Sequence, residues 1–183
     1  MKPSSVNVEL INSVLPTVLH ALLFVAKLVP GGFPMHSVRV RDQRMHFSAS
    51  HFLKSEEEIE NLHGHNYSLE IRLTGPLNDD GMVHDFRTVK SKALDICKTL
   101  DHKVLLPRDS KTIKVGKSGE FIEVLVGEKR YVFPEEDCVI IPTSATSTEL
   151  LAQYVHEHLD FPKDFKVKVC VSESEGNTGC YKE

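Results

Sequence analysis

Cysteine is scarce and scattered in this sequence. The four cysteines form no C-x-x-C pair, and they are too few and too far apart for the dense framework of a small secreted disulfide protein. A reducing compartment is therefore expected. The four are Cys97, Cys138, Cys170 and Cys180.

Concentrated positive charge is also lacking. No run of Lys or Arg exceeds three residues, and the formal net charge is −4. A protein without a basic field has little attraction for phosphate backbones. Nucleic acid is therefore not expected as a partner.

A hydrophobic run long enough for a membrane helix is missing as well. A spanning helix needs about 20 apolar residues, whereas the uncharged run over residues 10–26 is interrupted by Asn12, Ser13, Pro16 and Thr17. No membrane partner is expected. The run could instead belong to a cleaved signal or transit segment, or to a helical extension. Residues 1–35 are interpreted as an N-terminal extension of unknown role, and a cytoplasmic location is expected, with organellar targeting left open.

What is present suits one compact domain. The chain has 183 residues, of which 40% are hydrophobic. This is enough for a core without disulfide or metal support. The break at Pro30, Gly31 and Gly32 is followed by strand-like alternation, so the domain is expected to span residues 36–183.

Hydrophobic periodicity predicts both strands and helices. Polarity alternates at the period of a strand over residues 38–51, 67–73 and 165–171. Apolar residues recur at helical spacing after Asp85, which can cap the helix, and again over residues 150–159. Short β-like pieces between residues 111 and 141 predict an inserted β-hairpin region. The order ββ-α-(ββ)-α-β indicates an α+β fold with two helices on one face of an antiparallel sheet.

A capping box precedes the second helix. In Thr146-Ser147-Thr148-Glu149, the Thr146 hydroxyl and the Glu149 carboxylate can each accept a free backbone N–H of the first turn. The helix is therefore expected to follow this motif directly.

Three of the ten histidines are placed where they can meet. His51 ends one predicted strand, and His63-Gly64-His65 opens the next. Positions i and i+2 of a strand face the same side, so His63 and His65 can share a pocket with His51 from an antiparallel neighbour. Three neutral imidazoles leave an open position on Zn²⁺, as in catalytic zinc sites. Zinc is favoured, although imidazole also suits copper, nickel and iron.

Six short motifs, taken together, resemble the 6-pyruvoyl-tetrahydropterin synthase family in order and spacing. The resemblance covers residues 38–173 and implies a tunnelling fold with a four-stranded antiparallel sheet. It also implies a homohexamer, a dimer of trimers, with pterin sites at subunit interfaces. The motifs are Phe47-Ser48-Ala49-Ser50-His51, Leu62-His63-Gly64-His65-Asn66-Tyr67, Gly81-Met82-Val83-His84-Asp85-Phe86, Leu100-Asp101-His102, Ser147-Thr148-Glu149 and Val171-Ser172-Glu173.

The same resemblance implies roles for individual residues. His51, His63 and His65 would be the zinc ligands, and Asp101 with His102 would be an acid/base pair. Glu173 would anchor the pterin, because a carboxylate can accept two N–H groups from the ring edge. Ser147, Thr148 and Glu149 would line the same ring. Without the resemblance, Glu149 fits the capping box and Asp101-His102 fits a helix C-terminus.

One departure from the family concerns the catalytic base. Many members carry a cysteine four residues before the first histidine of H-G-H, and here that position is Ile59. The segment from Glu60 to Tyr67 resembles a variant subgroup, known from malaria parasites and some bacteria, in which glutamate replaces the cysteine. That resemblance implies Glu60 as the base and 6-hydroxymethyl-7,8-dihydropterin as the product. Glu58 is left open as a substitute, and Glu56 and Glu57 fit a solvated loop.

Three other functions compete with this hypothesis. The first is the 6-pyruvoyl-tetrahydropterin or 6-carboxy-tetrahydropterin reaction on the same substrate, 7,8-dihydroneopterin triphosphate. The second is a non-catalytic metal- or pterin-binding relative, which the missing cysteine permits. A cupin-type oxygenase is disfavoured because it would need more strands and fewer helices.

Overall fold

The computed structural model describes residues 34–54 and 58–183. The apolar run of residues 10–26 and its proposed roles lie outside these ranges, as do Glu56 and Glu57. Within them, no helix has the length and apolar character needed to cross a bilayer. The predicted domain boundary near residue 35 stays a prediction.

Ten strands and two α-helices make up the described chain, together with one 3₁₀ turn at Glu135–Asp137. The helices are α1 (Phe86–Leu100) and α2 (Thr148–His158). The strands are β1 (His36–Val40), β2 (His46–His51), β3 (His63–Gly75), β4 (Lys103–Pro107), β5 (Ile113–Ser118), β6 (Phe121–Val126), β7 (Lys129–Pro134), β8 (Cys138–Ile141), β9 (Lys166–Ser174) and β10 (Asn177–Lys182).

The main sheet has seven strands in the order β10-β9-β3-β2-β4-β8, with β1 also paired to β3. The expected α+β class is confirmed, but the four-stranded count is wrong. The sheet is also not wholly antiparallel, because β2 pairs with β4 and β4 with β8 in parallel. Beyond the three strands that periodicity predicts for this sheet, it contains β4, β8 and β10, and the predicted first strand is divided into β1 and β2.

The division of the first strand comes from a turn at residues 41–45. The Asp42 carbonyl accepts the backbone N–H of Met45 at 2.9 Å. The Asp42 carboxylate also contacts Arg44 at 2.9 Å and Lys90 of α1 at 3.1 Å. Both β1 and β2 then pair with the long strand β3. The prediction of one strand is wrong here because four polar residues, 41–44, interrupt the alternation, and the buried positions change from even numbers to odd ones.

Strand β3 lies at the centre of the main hydrophobic core. Tyr67, Leu69, Ile71 and Leu73 alternate with polar residues and are buried on one face. Buried residues of α1 and α2 join them in a single cluster, which confirms that both helices cover this face.

The first helix begins as predicted and the second does not. The Asp85 carboxylate accepts the N–H of Arg87 at 2.8 Å and caps α1, although Phe86, predicted to lie on the apolar face, is exposed. At α2 the N-cap is Ser147, with no side-chain capping bond. The predicted capping box is therefore wrong, because the buried Thr146 hydroxyl bonds elsewhere.

Strands β5, β6 and β7 form a separate three-stranded antiparallel sheet, here called the inserted sheet (residues 113–134). It has a hydrophobic cluster of its own, distinct from the main core. The expected inserted hairpin is thus a three-stranded meander. Residues 139–141, predicted to belong to it, lie in β8 of the main sheet and pair with β4.

The last strand and a disulfide were not predicted. After Gly176, at φ +91°, the chain turns back as β10 and pairs with β9. Cys170 and Cys180 are direct partners in this ladder and form a disulfide. The scattered cysteines predicted no disulfide framework, yet the turn brings these two residues, ten positions apart in sequence, together.

Truncation of a central core residue should destabilise the domain strongly. Leu73 is fully buried between two neighbouring strands, so Leu73→Ala should lower the free energy of unfolding by about 2–5 kcal/mol. Leu77→Ala is the matched control at an exposed position, where about 0.5 kcal/mol or less is expected. Urea unfolding followed by circular dichroism measures both, and equal losses would contradict this core assignment.

Candidate active site

Three histidines converge where β2 ends and β3 begins. His51 and His63 are direct partners in the antiparallel ladder, and His65 follows two positions later on the same face. His51 Nε2 lies 3.1 Å from His63 Nε2. Each ring offers a nitrogen within 4.8 Å of the other two. This confirms the prediction that the three residues meet.

Hydrogen bonds on the far side of two rings fix their tautomers. His51 Nδ1 lies 3.0 Å from the Thr146 carbonyl, and His63 Nδ1 lies 2.7 Å from the Asn61 carbonyl. A carbonyl oxygen can only accept, so each Nδ1 carries the hydrogen. In the neutral rings both Nε2 atoms then present lone pairs to each other.

Two facing lone pairs repel each other unless a cation lies between them. Tetrahedral Zn²⁺ with bonds of 2.0–2.1 Å would place its ligand nitrogens about 3.4 Å apart, close to the observed 3.1 Å. The donor set therefore fits a divalent metal. Outer hydrogen bonds of this kind are the usual means of orienting metal-binding histidines.

His51 is the most enclosed of the three rings. Burial lowers its pKa to about 4, which keeps the imidazole in the neutral form that binds metals. The Thr146 hydroxyl lies 3.2 Å from its Nδ1 and donates to the Phe52 carbonyl at 3.3 Å. The Tyr67 hydroxyl lies 3.4 Å from the ring nitrogens.

Glu60 lies beside this cluster. Its carboxylate oxygen is 3.5 Å from His63 Nε2, the atom that faces the other histidines. The carboxylate is about one-third exposed, so a substrate can reach it. The backbone N–H of Glu60 donates to the Leu53 carbonyl at 2.8 Å, which closes the loop between β2 and β3.

Asp101 and His102 follow α1 and form a hydrogen-bonded pair. His102 Nδ1 lies 2.9 Å from one Asp101 oxygen, and the other oxygen accepts the Ser48 N–H at 2.8 Å. The Ser48 N–H, with a smaller contribution from His102, holds the pKa of Asp101 below its usual value. His102 itself adopts φ +59°, which is uncommon outside glycine.

The structure does not bring this pair into contact with the histidine cluster in the described part of the chain. His102 is 84% exposed and lines a cleft of about 530 Å³ together with Ser48, Asn66 and His65. Because side chains alternate along β3, Asn66 points away from the face that carries His63 and His65. Within the described residues, the pair therefore shares a cleft with His65 but has no hydrogen bond or ion pair to the three histidines.

The start of α2 packs against the β9–β10 hairpin, in which Glu173 lies near the end of β9. Burial, and then the nearby Glu173 carboxylate, raise the pKa of Tyr67, which places Glu173 near the tyrosine that contacts His51. Gly179 pairs with Val171 on β9, two residues from Glu173. Any Cβ on Gly179 would lie 2.5 Å from the Glu149 nitrogen and from Thr148 Oγ1. The residues of this group are Ser147, Thr148, Glu149 and Glu173.

Comparison with known proteins assigns this arrangement to a family. The sequence profile described as 6-pyruvoyl tetrahydropterin synthase matches residues 41–183. The chain belongs to the 6-pyruvoyl-tetrahydropterin synthase family. It is accordingly a lyase-type enzyme of pterin chemistry, which removes the non-catalytic alternative.

Solved structures of this family share the fold. A Plasmodium vivax 6-pyruvoyltetrahydropterin synthase, in a variant with a catalytic glutamate changed to alanine, has a TM-score of 0.76 at 30% identity; the match covers 82% of this chain and 98% of that one. The Plasmodium falciparum protein has a TM-score of 0.75 at 30% identity, covering 81% and 98%. The expected tunnelling fold is confirmed.

Other relatives are named for the 6-carboxy product and not for the 6-pyruvoyl product. A Methanocaldococcus jannaschii protein, provisionally assigned as a 6-carboxy-5,6,7,8-tetrahydropterin synthase, is 27% identical over 147 residues, or 76% of this chain and 90% of the relative. The Rickettsia conorii 6-carboxy-5,6,7,8-tetrahydropterin synthase is 35% identical over 92 residues, covering 49% and 63%.

Sequence reasoning missed the residues that orient the histidines of this family member. Thr146 and Asn61 act through their carbonyls, and a backbone carbonyl leaves no residue-type signal in a sequence. Thr146 was noticed only as a helix cap. Thr146 is fully buried, which is unusual for a threonine, and this burial becomes visible only in three dimensions.

Loss of the Thr146 hydroxyl should weaken metal binding. Thr146→Val keeps the carbonyl bond to His51 but removes the hydroxyl, so Zn²⁺ affinity should fall about 10-fold, the lower end for residues that orient metal ligands. Thr99→Val is the control, since that hydroxyl bonds Ile96 within α1. Zn²⁺ affinity is measured by competition with a chromogenic chelator, and unchanged affinity in Thr146→Val would contradict the positioning role.

Proposed function

We propose that this protein is a zinc-dependent lyase that cleaves 7,8-dihydroneopterin triphosphate to 6-hydroxymethyl-7,8-dihydropterin, a folate precursor. The observation that carries the proposal is the Glu60 carboxylate, 3.5 Å from a histidine nitrogen that faces the other two. A base at this point can act on a substrate oxygen held at the metal.

Zinc at His51, His63 and His65 would supply a Lewis acid that lowers the pKa of the substrate's side-chain hydroxyls. Glu60 then accepts the proton of the 2′-hydroxyl. The C1′–C2′ bond breaks as C2′ becomes an aldehyde that keeps the triphosphate. The bond electrons pass to C1′ and the conjugated ring imine, and protonation at C1′ leaves the hydroxymethyl group.

Recognition of the pterin is proposed for Glu173 and the start of α2. A carboxylate accepts the 2-amino and N3–H groups of the ring edge in a bidentate arrangement. Ser147, Thr148 and Glu149 lie against the β9–β10 hairpin that presents Glu173. Because Thr146 contacts His51, the ring and the metal would be held by adjoining residues.

Asp101 and His102 are not assigned to the same site as Glu60 and Glu173. His102 is exposed and Asp101 is half-buried, and within the described ranges neither contacts the three histidines. We propose that they serve a site shared with a neighbouring subunit of a homohexamer, where the pair would return the proton to carbon. A cytoplasmic location remains part of the proposal.

A 6-carboxy-tetrahydropterin product is the second candidate. The names of the Methanocaldococcus jannaschii and Rickettsia conorii relatives support it. The proposed glutamate base supports the hydroxymethyl product instead, because deprotonation of the 2′-hydroxyl leads to cleavage of the C1′–C2′ bond. The Plasmodium vivax 6-pyruvoyltetrahydropterin synthase also has a glutamate described as a catalytic residue. Ile59 occupies the position where many family members have the thiolate.

Product analysis distinguishes the candidates. The zinc-loaded protein is incubated with 7,8-dihydroneopterin triphosphate, and the released pterin is identified by mass spectrometry after oxidation. We expect 6-hydroxymethylpterin, because Glu60 is placed to deprotonate a hydroxyl. A 6-carboxy or 6-pyruvoyl product would overturn the proposed reaction while retaining the substrate.

Neutralising Glu60 should abolish turnover with little effect on metal binding. Glu60→Gln preserves the side-chain size but removes the base, so kcat should fall about 10²–10⁴-fold. Glu58→Gln, in the same acidic stretch, is the matched control and should keep kcat near the unmodified value. The reverse result, with Glu58→Gln inactive and Glu60→Gln active, would assign the base to Glu58.

A further inference from the structure

The loop between β2 and β3 carries Glu60 and leads into His63, yet the main core does not support its apolar residues. Phe52 is fully buried in the second hydrophobic cluster, and Ile59 and Leu62 pack against it. The rest of that cluster comes chiefly from the inserted sheet and β4. Most of the apolar cover over this loop is therefore supplied by residues 113–134.

An aromatic contact joins the inserted sheet to the residue after the first histidine. The Tyr131 ring lies 4.8 Å from the Phe52 ring, centroid to centroid. Phe52 follows His51 directly, and its carbonyl accepts the Thr146 hydroxyl. Tyr131 therefore packs on a residue that follows His51 in the chain and is hydrogen-bonded to Thr146, which in turn contacts His51.

A polar contact reaches the second histidine. Lys129, just after the turn at Gly127, donates to Asn61 Oδ1 at 2.5 Å. The Asn61 carbonyl accepts from His63 Nδ1 at 2.7 Å. Lys129 thus fixes the residue that sets the tautomer and direction of the His63 ring. Glu60 precedes Asn61 in the chain, so the same contact restrains the proposed base.

We propose that the inserted sheet positions the active-site loop, with Lys129 and Tyr131 holding Asn61 and Phe52 so that His63 and Glu60 face the metal. This inference deepens the proposed function and rests on it for the role of Glu60. Lys129 and Tyr131 are positioning residues, since each acts through a neighbour.

The substitution Lys129→Met tests the polar contact. It keeps the aliphatic stem and removes the donor, so Zn²⁺ affinity should fall about 3–10-fold, below the range for residues that contact a ligand directly. Lys129→Arg should restore most of the loss. Lys117→Met is the matched control, because Lys117 bonds Glu135 at 2.6 Å at the other end of the inserted sheet.

Two measurements separate positioning from general stability. Zn²⁺ affinity is determined by chelator competition without substrate, and amide hydrogen exchange is followed at residues 58–63 and, for comparison, at 167–171 of β9. We expect Lys129→Met to weaken Zn²⁺ binding and to speed amide hydrogen exchange at residues 58–63, with exchange at residues 167–171 unchanged. Affinity and loop exchange equal to those of Lys117→Met would overturn the proposal.

A second variant addresses the aromatic contact. Tyr131→Leu fills part of the second hydrophobic cluster but removes the ring that packs on Phe52. We again expect weaker Zn²⁺ binding and faster exchange at residues 58–63, with no change at residues 167–171.

Turnover is measured separately. In Lys129→Met, kcat should fall, while KM for the pterin, which we assign to Glu173, stays within about 2-fold. If the unmodified protein binds Zn²⁺ but forms no hydroxymethyl product, the proposed reaction fails, and the affinity and exchange results still decide the positioning role.

Discussion

The pairing of His51 with His63 across two antiparallel strands is the constraint on which the rest of the site depends. It turns two Nε2 lone pairs toward each other at 3.1 Å, with carbonyl oxygens fixing the far side of each ring. A slip of one residue in this ladder would move one of these rings to the opposite face. The buried alternation of β3 opposes such a slip, because it would expose Tyr67, Leu69 and Ile71.

Thr146 connects this cluster to the region proposed for pterin recognition. It contacts His51 and Phe52 on one side and leads directly into the first turn of α2 on the other. Gly179 of β10 fits closely against that turn, with no room for a Cβ. The histidine cluster, the helix start and the hairpin are consequently parts of one packed unit.

The two hydrophobic clusters support different parts of the domain. The main cluster joins β3, β9 and both helices and supports the central sheet. The second joins the inserted sheet to β4 and to the loop before His63. Glu60 belongs to this second region, whereas Glu173 belongs to the first. The proposed base and the proposed ring anchor thus lie on parts of the chain with separate packing support, and the histidine cluster lies between them.

The sequence by itself determined the α+β class, the long central strand and the meeting of His51, His63 and His65. These follow from periodicity and from the i, i+2 geometry of strands, which are local properties. Tertiary structure alone decided the parallel pairing of β4 and β8, the β10 hairpin with its disulfide, and the use of Thr146 as a support for His51. Each depends on contacts between distant segments or on backbone carbonyls, which residue type does not encode. Asp101 and His102 illustrate the same limit. They lie next to each other and contact β2 at Ser48, yet in the described ranges they make no contact with the three histidines, because the assembled sheet sets which residues of neighbouring strands meet.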